Sequence, residues 1–88
     1  MKKLLKKAIL WWGIDFQLLM LIEECAELIK AINKRWRGKA TNKDVIEECV
    51  DVELMINQMK ELFKDERNTW DRIKIDKIER LHSLLVKV

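Results

Sequence analysis

Two short acidic segments in this chain have the residue types and the spacing of a metal site. Residues 23–27 read Glu-Glu-Cys-Ala-Glu and residues 47–51 read Glu-Glu-Cys-Val-Asp, so the pattern recurs after 24 positions. Because residues three apart on a helix share a face, the second and fifth residues of each segment point the same way. These pairs are Glu24 with Glu27 and Glu48 with Asp51.

The neighbours of these pairs on each helical face are mostly apolar. The first face also carries Gln17, Met20, Leu21, Leu28 and Ala31, and the second carries Val52, Met55, Met59 and Leu62. Burying unpaired like charges costs of the order of several kcal/mol per ion. We therefore expect either basic side chains or a divalent cation to meet these acids. Oxygen ligands alone suit a hard cation, Mg²⁺ or Mn²⁺.

A metal held in this way can bind triphosphate oxygens and activate a water molecule. Phosphoryl chemistry depends mainly on positioning and charge neutralisation, so a catalytic His or Ser is not required. A di-iron bundle is disfavoured because the chain has no Glu-x-x-His pair. The sequence also has neither a P-loop nor a dinucleotide-binding glycine pattern.

Composition predicts one all-α domain. Of the 88 residues 49% are hydrophobic, with no Pro and only two Gly, so nearly all of the chain should be helical. That much apolar surface exceeds what one small bundle can bury, and a homo-oligomer is the expected remedy. The net charge of +3 is modest, so no stable nucleic acid partner is expected.

No targeting segment or membrane span is expected, and we predict a cytoplasmic protein. Lys6 and Lys7 interrupt the apolar run that a signal peptide needs, and no stretch reaches the roughly 18 apolar residues of a membrane span. The ligands for zinc are too few, since His82 is the single histidine. Cys25 and Cys49 are expected to be buried reduced thiols, with a disulfide between the two helices as the alternative.

The coarse pattern predicts two long antiparallel helices, flanked by N- and C-terminal helices. The long helices span about 15–34 and 44–64, and the last helix spans about 70–86. The expected caps are Asp15, Thr41 or Asn42, and Asn68 or Thr69. Residues 2–12 form a basic amphipathic stretch: a short helix across the bundle, a membrane-surface helix or a lid over a phosphate site.

Two basic regions have both structural and functional interpretations. The loop 35–43 is either an ordinary connection or a segment that offers Arg35, Arg37 and Lys39 to phosphates and Trp36 to a base. On the last helix, Lys77 and Arg80 either extend from a packed surface into water or reach the acidic site or a bound phosphate.

The doubled acidic pattern resembles the signature of the MazG-like, all-α nucleoside triphosphate pyrophosphohydrolases. The resemblance covers about residues 11–85 and includes further positions of a compact phage or bacterial branch. These positions are Gln17, Arg37-Gly38, Asp51-Val52, Lys77 and Arg80.

The resemblance implies an Mg²⁺-dependent hydrolase that cuts between the α and β phosphates and releases pyrophosphate. It also implies a dimer or dimer of dimers whose helices complete a four-helix core. The family's metal ligands, carried over to the matching positions of this sequence, would be Glu24, Glu27, Glu48 and Asp51. Glu23 and Glu47 become catalytic, water-orienting groups outside the ligand set. The implied substrate contacts are Gln17, Trp36, Arg37, Lys77 and Arg80.

Two other function classes remain open from the sequence. One is a non-catalytic helical dimer, an interaction or nucleotide-binding module in which Lys and Arg neutralise the acids. The other is a basic binder of membrane or nucleic acid surfaces that uses Lys2, Lys3, Lys6 and Lys7.

Overall fold

The computed structural model describes residues 3–4, 7, 10–11 and 13–87. From Gly13 onward the described residues form three α-helices, α1 (Ile14–Trp36), α2 (Asn42–Leu62) and α3 (Arg67–Val86), and a 3₁₀ turn at Lys64–Glu66. The described residues include no β-strand, which confirms the all-α prediction. Those of the basic N-terminal stretch have helical conformation, whereas Lys2 and Lys6 lie outside the described part.

Helices α1 and α2 pack against each other as an antiparallel hairpin. Its buried residues in the described part are Gln17, Ala31, Met55, Met59 and Glu61, and the first four lie on the apolar faces that the sequence predicts. The core of the hairpin is thin, because only three of these five residues are apolar. Cys25 is half-buried and Cys49 is exposed, both as free thiols, so the predicted burial of Cys49 is wrong.

The end of α1 is a Schellman motif centred on Gly38. Gly38 has a φ of 74°, in the left-handed region that a glycine adopts without strain. The Gly38 amide donates to the Arg35 carbonyl at 2.9 Å, and the Lys39 amide donates to the Lys34 carbonyl at 2.8 Å. This pair of bonds satisfies carbonyls at the helix end and folds Lys39 back towards Lys34.

The start of α2 is a capping box, as the predicted Thr41 cap requires. The Asp44 amide donates to the Thr41 hydroxyl, and the Asp44 carboxylate accepts from the Thr41 amide at 2.8 Å. The other predicted caps are wrong. Asp15 lies inside the first turn of α1, which follows Gly13 without a side-chain cap. Asn68 and Thr69 lie inside α3, because the 3₁₀ turn starts that helix earlier than expected.

Helix α3 packs only weakly on the hairpin. The Lys60 ammonium lies 5.6 Å from the ring centroid of Trp70, a cation–π contact between α2 and α3. Most of the large apolar residues of α3 are exposed: Ile73, Ile75, Ile78, Leu81, Leu84, Leu85 and Val86. In the described part of the chain, none of the helices has the length and apolarity to cross a bilayer.

Candidate metal centre in the helical hairpin

Three of the four predicted metal ligands meet between the two long helices. Glu24 comes from the middle of α1, and Glu48 and Asp51 come from successive turns of α2. One carboxylate oxygen of each residue lies within 4.8 Å of the other two. Antiparallel packing produces this meeting because the acidic segments lie at matching heights along the hairpin.

The donor set fits a hard divalent cation. Oxygens that ligate one octahedral Mg²⁺ at about 2.1 Å lie about 3.0–4.2 Å apart. The observed separations are within 4.8 Å, so small side-chain rotations bring the three oxygens to ligand distance. Glu24 and Glu48 are half-buried, whereas Asp51 is exposed, so the site is open to solvent.

The acidic cluster has no ion-pair partner in the part of the chain that the structure describes. Within the described residues, no Lys or Arg forms an ion pair with Glu24, Glu48 or Asp51. The acids are therefore not locked one-to-one with basic side chains.

The cluster raises the pKa of Glu24 above its ordinary value. Burial is the largest cause, because it penalises the charged form, and the charges of Asp51 and Glu48 come next. Glu27 and Glu23 add smaller like-charge contributions. A bound cation would reverse these effects, because it favours the ionised carboxylate.

The raised pKa of Glu24 predicts how metal-free stability depends on pH. The folded state holds the Glu24 proton more tightly than the unfolded state, for which the pKa is about 4.5. The contribution of Glu24 to the free energy of unfolding therefore falls as the pH rises from about 4.5 through the raised folded pKa.

This dependence is measured as the difference in unfolding free energy between the wild type and Glu24→Gln, with chelator present, over that pH range. We expect the wild type to lose stability relative to the variant as the pH rises. Glu53→Gln, an exposed change on α2, should show no such trend. A wild type that gains stability relative to Glu24→Gln as the pH rises would contradict the assigned causes.

The fourth predicted ligand, Glu27, lies outside the three-carboxylate cluster. It is exposed and lines a neighbouring groove with Glu48. The two predicted catalytic acids, Glu23 and Glu47, are also exposed. Glu47 lies 3.9 Å from the Lys43 ammonium, and such an exposed pair contributes little to stability.

The basic loop is divided between two grooves. Trp36 and Arg37 line an open groove of about 490 Å³ on the outer side of α1, where the Trp36 side chain is 87% exposed. Lys39 lines the groove beside Glu27 instead. Arg35 is engaged elsewhere, because its Nε donates to Asn42 Oδ1 and ties the end of α1 to the start of α2.

The remaining predicted substrate contacts lie apart from the acidic cluster. Lys77 lines an apolar groove of about 540 Å³ between α2 and α3, and Arg80 is exposed on α3. Gln17 is only 1% exposed, within the core at the beginning of α1. A single chain therefore does not bring these three residues to Glu24.

Sequence reasoning missed Lys30 and Lys34, which line the groove beside the cluster. Lys30 lies three residues after Glu27 and Lys34 lies four residues after Lys30, and this spacing indicates that the three residues share one face of α1. No family model matches the chain, and comparison with curated proteins and with solved structures likewise found no match.

Proposed function

We propose that the chain is an Mg²⁺-dependent nucleoside triphosphate pyrophosphohydrolase. The observation that carries the proposal is the convergence of Glu24, Glu48 and Asp51 without any neutralising Lys or Arg in the described residues. The doubled acidic pattern that resembles MazG-like hydrolases adds the substrate class. The adjoining grooves carry lysines among carboxylates and an exposed Trp36; the lysines suit phosphates and Trp36 suits a base.

In this proposal the hairpin supplies the metal ligands. Glu24, Glu48 and Asp51 hold the cation, and Glu27 joins them from the edge of the groove when substrate binds. A bound Mg²⁺ supplies charge neutralisation for the phosphate oxygens and acidifies a water molecule. The repulsion among the three carboxylates favours metal binding, because a cation would bring an opposite charge close to each of them.

The proposed reaction is hydrolysis of the α–β phosphoanhydride. A water oxygen forms a bond to the α phosphorus, the bond from that phosphorus to the bridging oxygen breaks, and pyrophosphate leaves with the electron pair. Glu23 or Glu47 orients the water and accepts its proton. The products are a nucleoside monophosphate and pyrophosphate.

We also propose that the active form is a homodimer or a dimer of dimers with a four-helix core. The chain has a radius of gyration of 16.1 Å, against about 12 Å for a compact chain of this length. Its accessible surface is 7624 Å², roughly 2,000 Å² more than a compact monomer of its mass exposes. In such an assembly, Lys77 and Arg80 would reach the acidic cluster of the second copy.

The test of the proposed function is a panel of canonical and modified nucleoside triphosphates with millimolar Mg²⁺. We expect pyrophosphate release from at least one substrate, and a rise in melting temperature with Mg²⁺ in the absence of nucleotide. Chelator should abolish both effects. The proposal would be refuted if no member of the panel released pyrophosphate and Mg²⁺ did not raise the melting temperature.

The second candidate is a non-catalytic helical dimer that serves as an interaction module. The exposed apolar face of α3 favours it, since such a face marks a protein contact. That candidate predicts that the melting temperature does not change when Mg²⁺ is added. The Mg²⁺ titration therefore separates the two candidates before any substrate is found.

A further inference from the structure

Helix α1 carries a second apolar stripe on its outer side, away from α2. Its members follow one another at alternating intervals of four and three residues, the spacing with which one helix packs along another. Ile22, Ile29 and Ile32 are 64%, 61% and 48% exposed, so the hairpin leaves them largely uncovered. We call these residues the outer stripe: Leu18, Ile22, Cys25, Ile29, Ile32 and Trp36.

The open groove of about 490 Å³ on α1 runs beside the second half of the outer stripe. The side chains of Ala26 and Asn33 are small enough to admit a ridge of side chains from another helix. The only charged residues that line the groove are Lys30 and Arg37, and both are basic. The groove therefore suits an apolar helix face that is accompanied by acids.

The charges of α1 are divided between its two halves. Residues 15–27 contain four acidic residues and no basic one, whereas residues 28–37 contain four basic residues and no acidic one. Two copies of α1 that run antiparallel place each acidic half beside a basic half, and parallel copies would bring like charges together. The first half of α1 thus has both the apolar ridge and the acids that the groove requires.

We propose that this groove receives the first half of α1 from a second copy, and that the antiparallel contact joins two of the proposed dimers into a dimer of dimers. In the register centred near Glu27, Ile22 lies opposite Ile32 of the second copy, and Cys25 lies opposite Ile29. These four residues form the contact, which leaves Trp36 to the base of the proposed substrate. The inference rests on the dimer of the proposed function and not on its hydrolytic chemistry.

A single contact of this kind is too small to hold two chains together. The outer stripe spans about 27 Å of helix, and two helices in contact over that length bury less than the roughly 1,200 Å² of a stable interface. In a closed assembly of four chains, two such contacts form together and each raises the effective concentration for the other. The α1 contact therefore depends on the dimer that α3 forms.

The first test is sedimentation of the full chain. The wild type should sediment with four times the chain mass of 10.6 kDa, and Ile29→Glu with twice that mass. The dissociation constant of the four-chain assembly should rise at least about 100-fold, since the change occurs twice in each contact. The matched control is Ile46→Glu on α2, which changes an isoleucine of similar exposure, 59%, and should leave four chains together.

The second test is a cross-link that reports the direction of the two helices. In a Cys49→Ser background with oxidised glutathione, Ile29→Cys should give a covalent dimer, because the new thiol lies opposite Cys25 of the second copy. Cys49→Ser alone should give none. A covalent dimer of Cys49→Ser alone would refute the antiparallel arrangement, since it joins Cys25 to its own counterpart.

The contact is refuted if the wild type forms no assembly larger than a dimer, if Ile29→Glu keeps four chains together, or if Ile46→Glu dissociates as much. An assembly of four chains that hydrolyses no triphosphate would refute the proposed function and leave the contact intact.

Discussion

Replacing Asp51 with asparagine should reduce pyrophosphate release by at least about 100-fold without unfolding the protein. The substitution keeps the size of the side chain and removes one of the three converging charges. Asp51 is also the largest charge contribution to the raised pKa of Glu24, after burial. The metal-free variant should therefore be more stable than the wild type, by of the order of 1 kcal/mol for two charges in a water-like medium.

The two readouts of Asp51→Asn move in opposite directions, which a damaged fold cannot imitate. Melting temperature with chelator should rise, whereas the gain in melting temperature on adding Mg²⁺ should be lost. Glu53→Gln removes the same charge from an exposed position of α2 and should change neither quantity. Near-normal turnover by Asp51→Asn with every substrate would show that the ligand assignment is wrong.

Replacing Leu81 with glutamate should separate the proposed dimer into monomers. Leu81 is 56% exposed in the single chain and lines the apolar groove between α2 and α3. Burying a leucine contributes about 1.5–3 kcal/mol, and a symmetric dimer carries the change twice. We therefore expect the dissociation constant to rise at least about 100-fold, before the cost of burying a carboxylate is added.

Sedimentation measures this effect directly. The wild type should sediment with at least twice the chain mass of 10.6 kDa, and Leu81→Glu should approach the chain mass itself. Ser83→Glu introduces the same charge on the polar side of α3 and should leave the assembly intact. A wild type that is monomeric at micromolar concentration would exclude the dimer.

The hairpin follows from the sequence because its signals are local. A period of 3.6 residues places Ala31, Met55 and Met59 inside, and Thr41 with Asp44 defines the start of α2. The prediction of Asp15 as a cap was wrong because aspartate is favoured both at the N-cap and in the first turn of a helix, where its charge interacts well with the helix dipole. Asp15 occupies the first turn.

The site was less predictable than the hairpin, because residue spacing shows which side chains share a helical face but not how far apart those side chains lie. Glu27 shares a face with Glu24, yet it lies over the adjoining groove, since three residues advance a side chain by most of a turn. The partnership of Lys39 with Lys34 depends on the left-handed conformation of Gly38. Gly38 alone does not indicate this pairing; the useful sign is Lys34 four residues before the glycine and Lys39 immediately after it.

The weak packing of α3 has a consequence for the order in which the chain acquires structure. All three converging carboxylates belong to two neighbouring helices joined by a short loop. Because they are close in sequence, their contacts should form early in folding. Backbone amides of α3 should exchange with deuterated solvent well before those at the centre of α1 and α2. The proposed metal site would therefore be complete once the hairpin has formed, before the last helix docks.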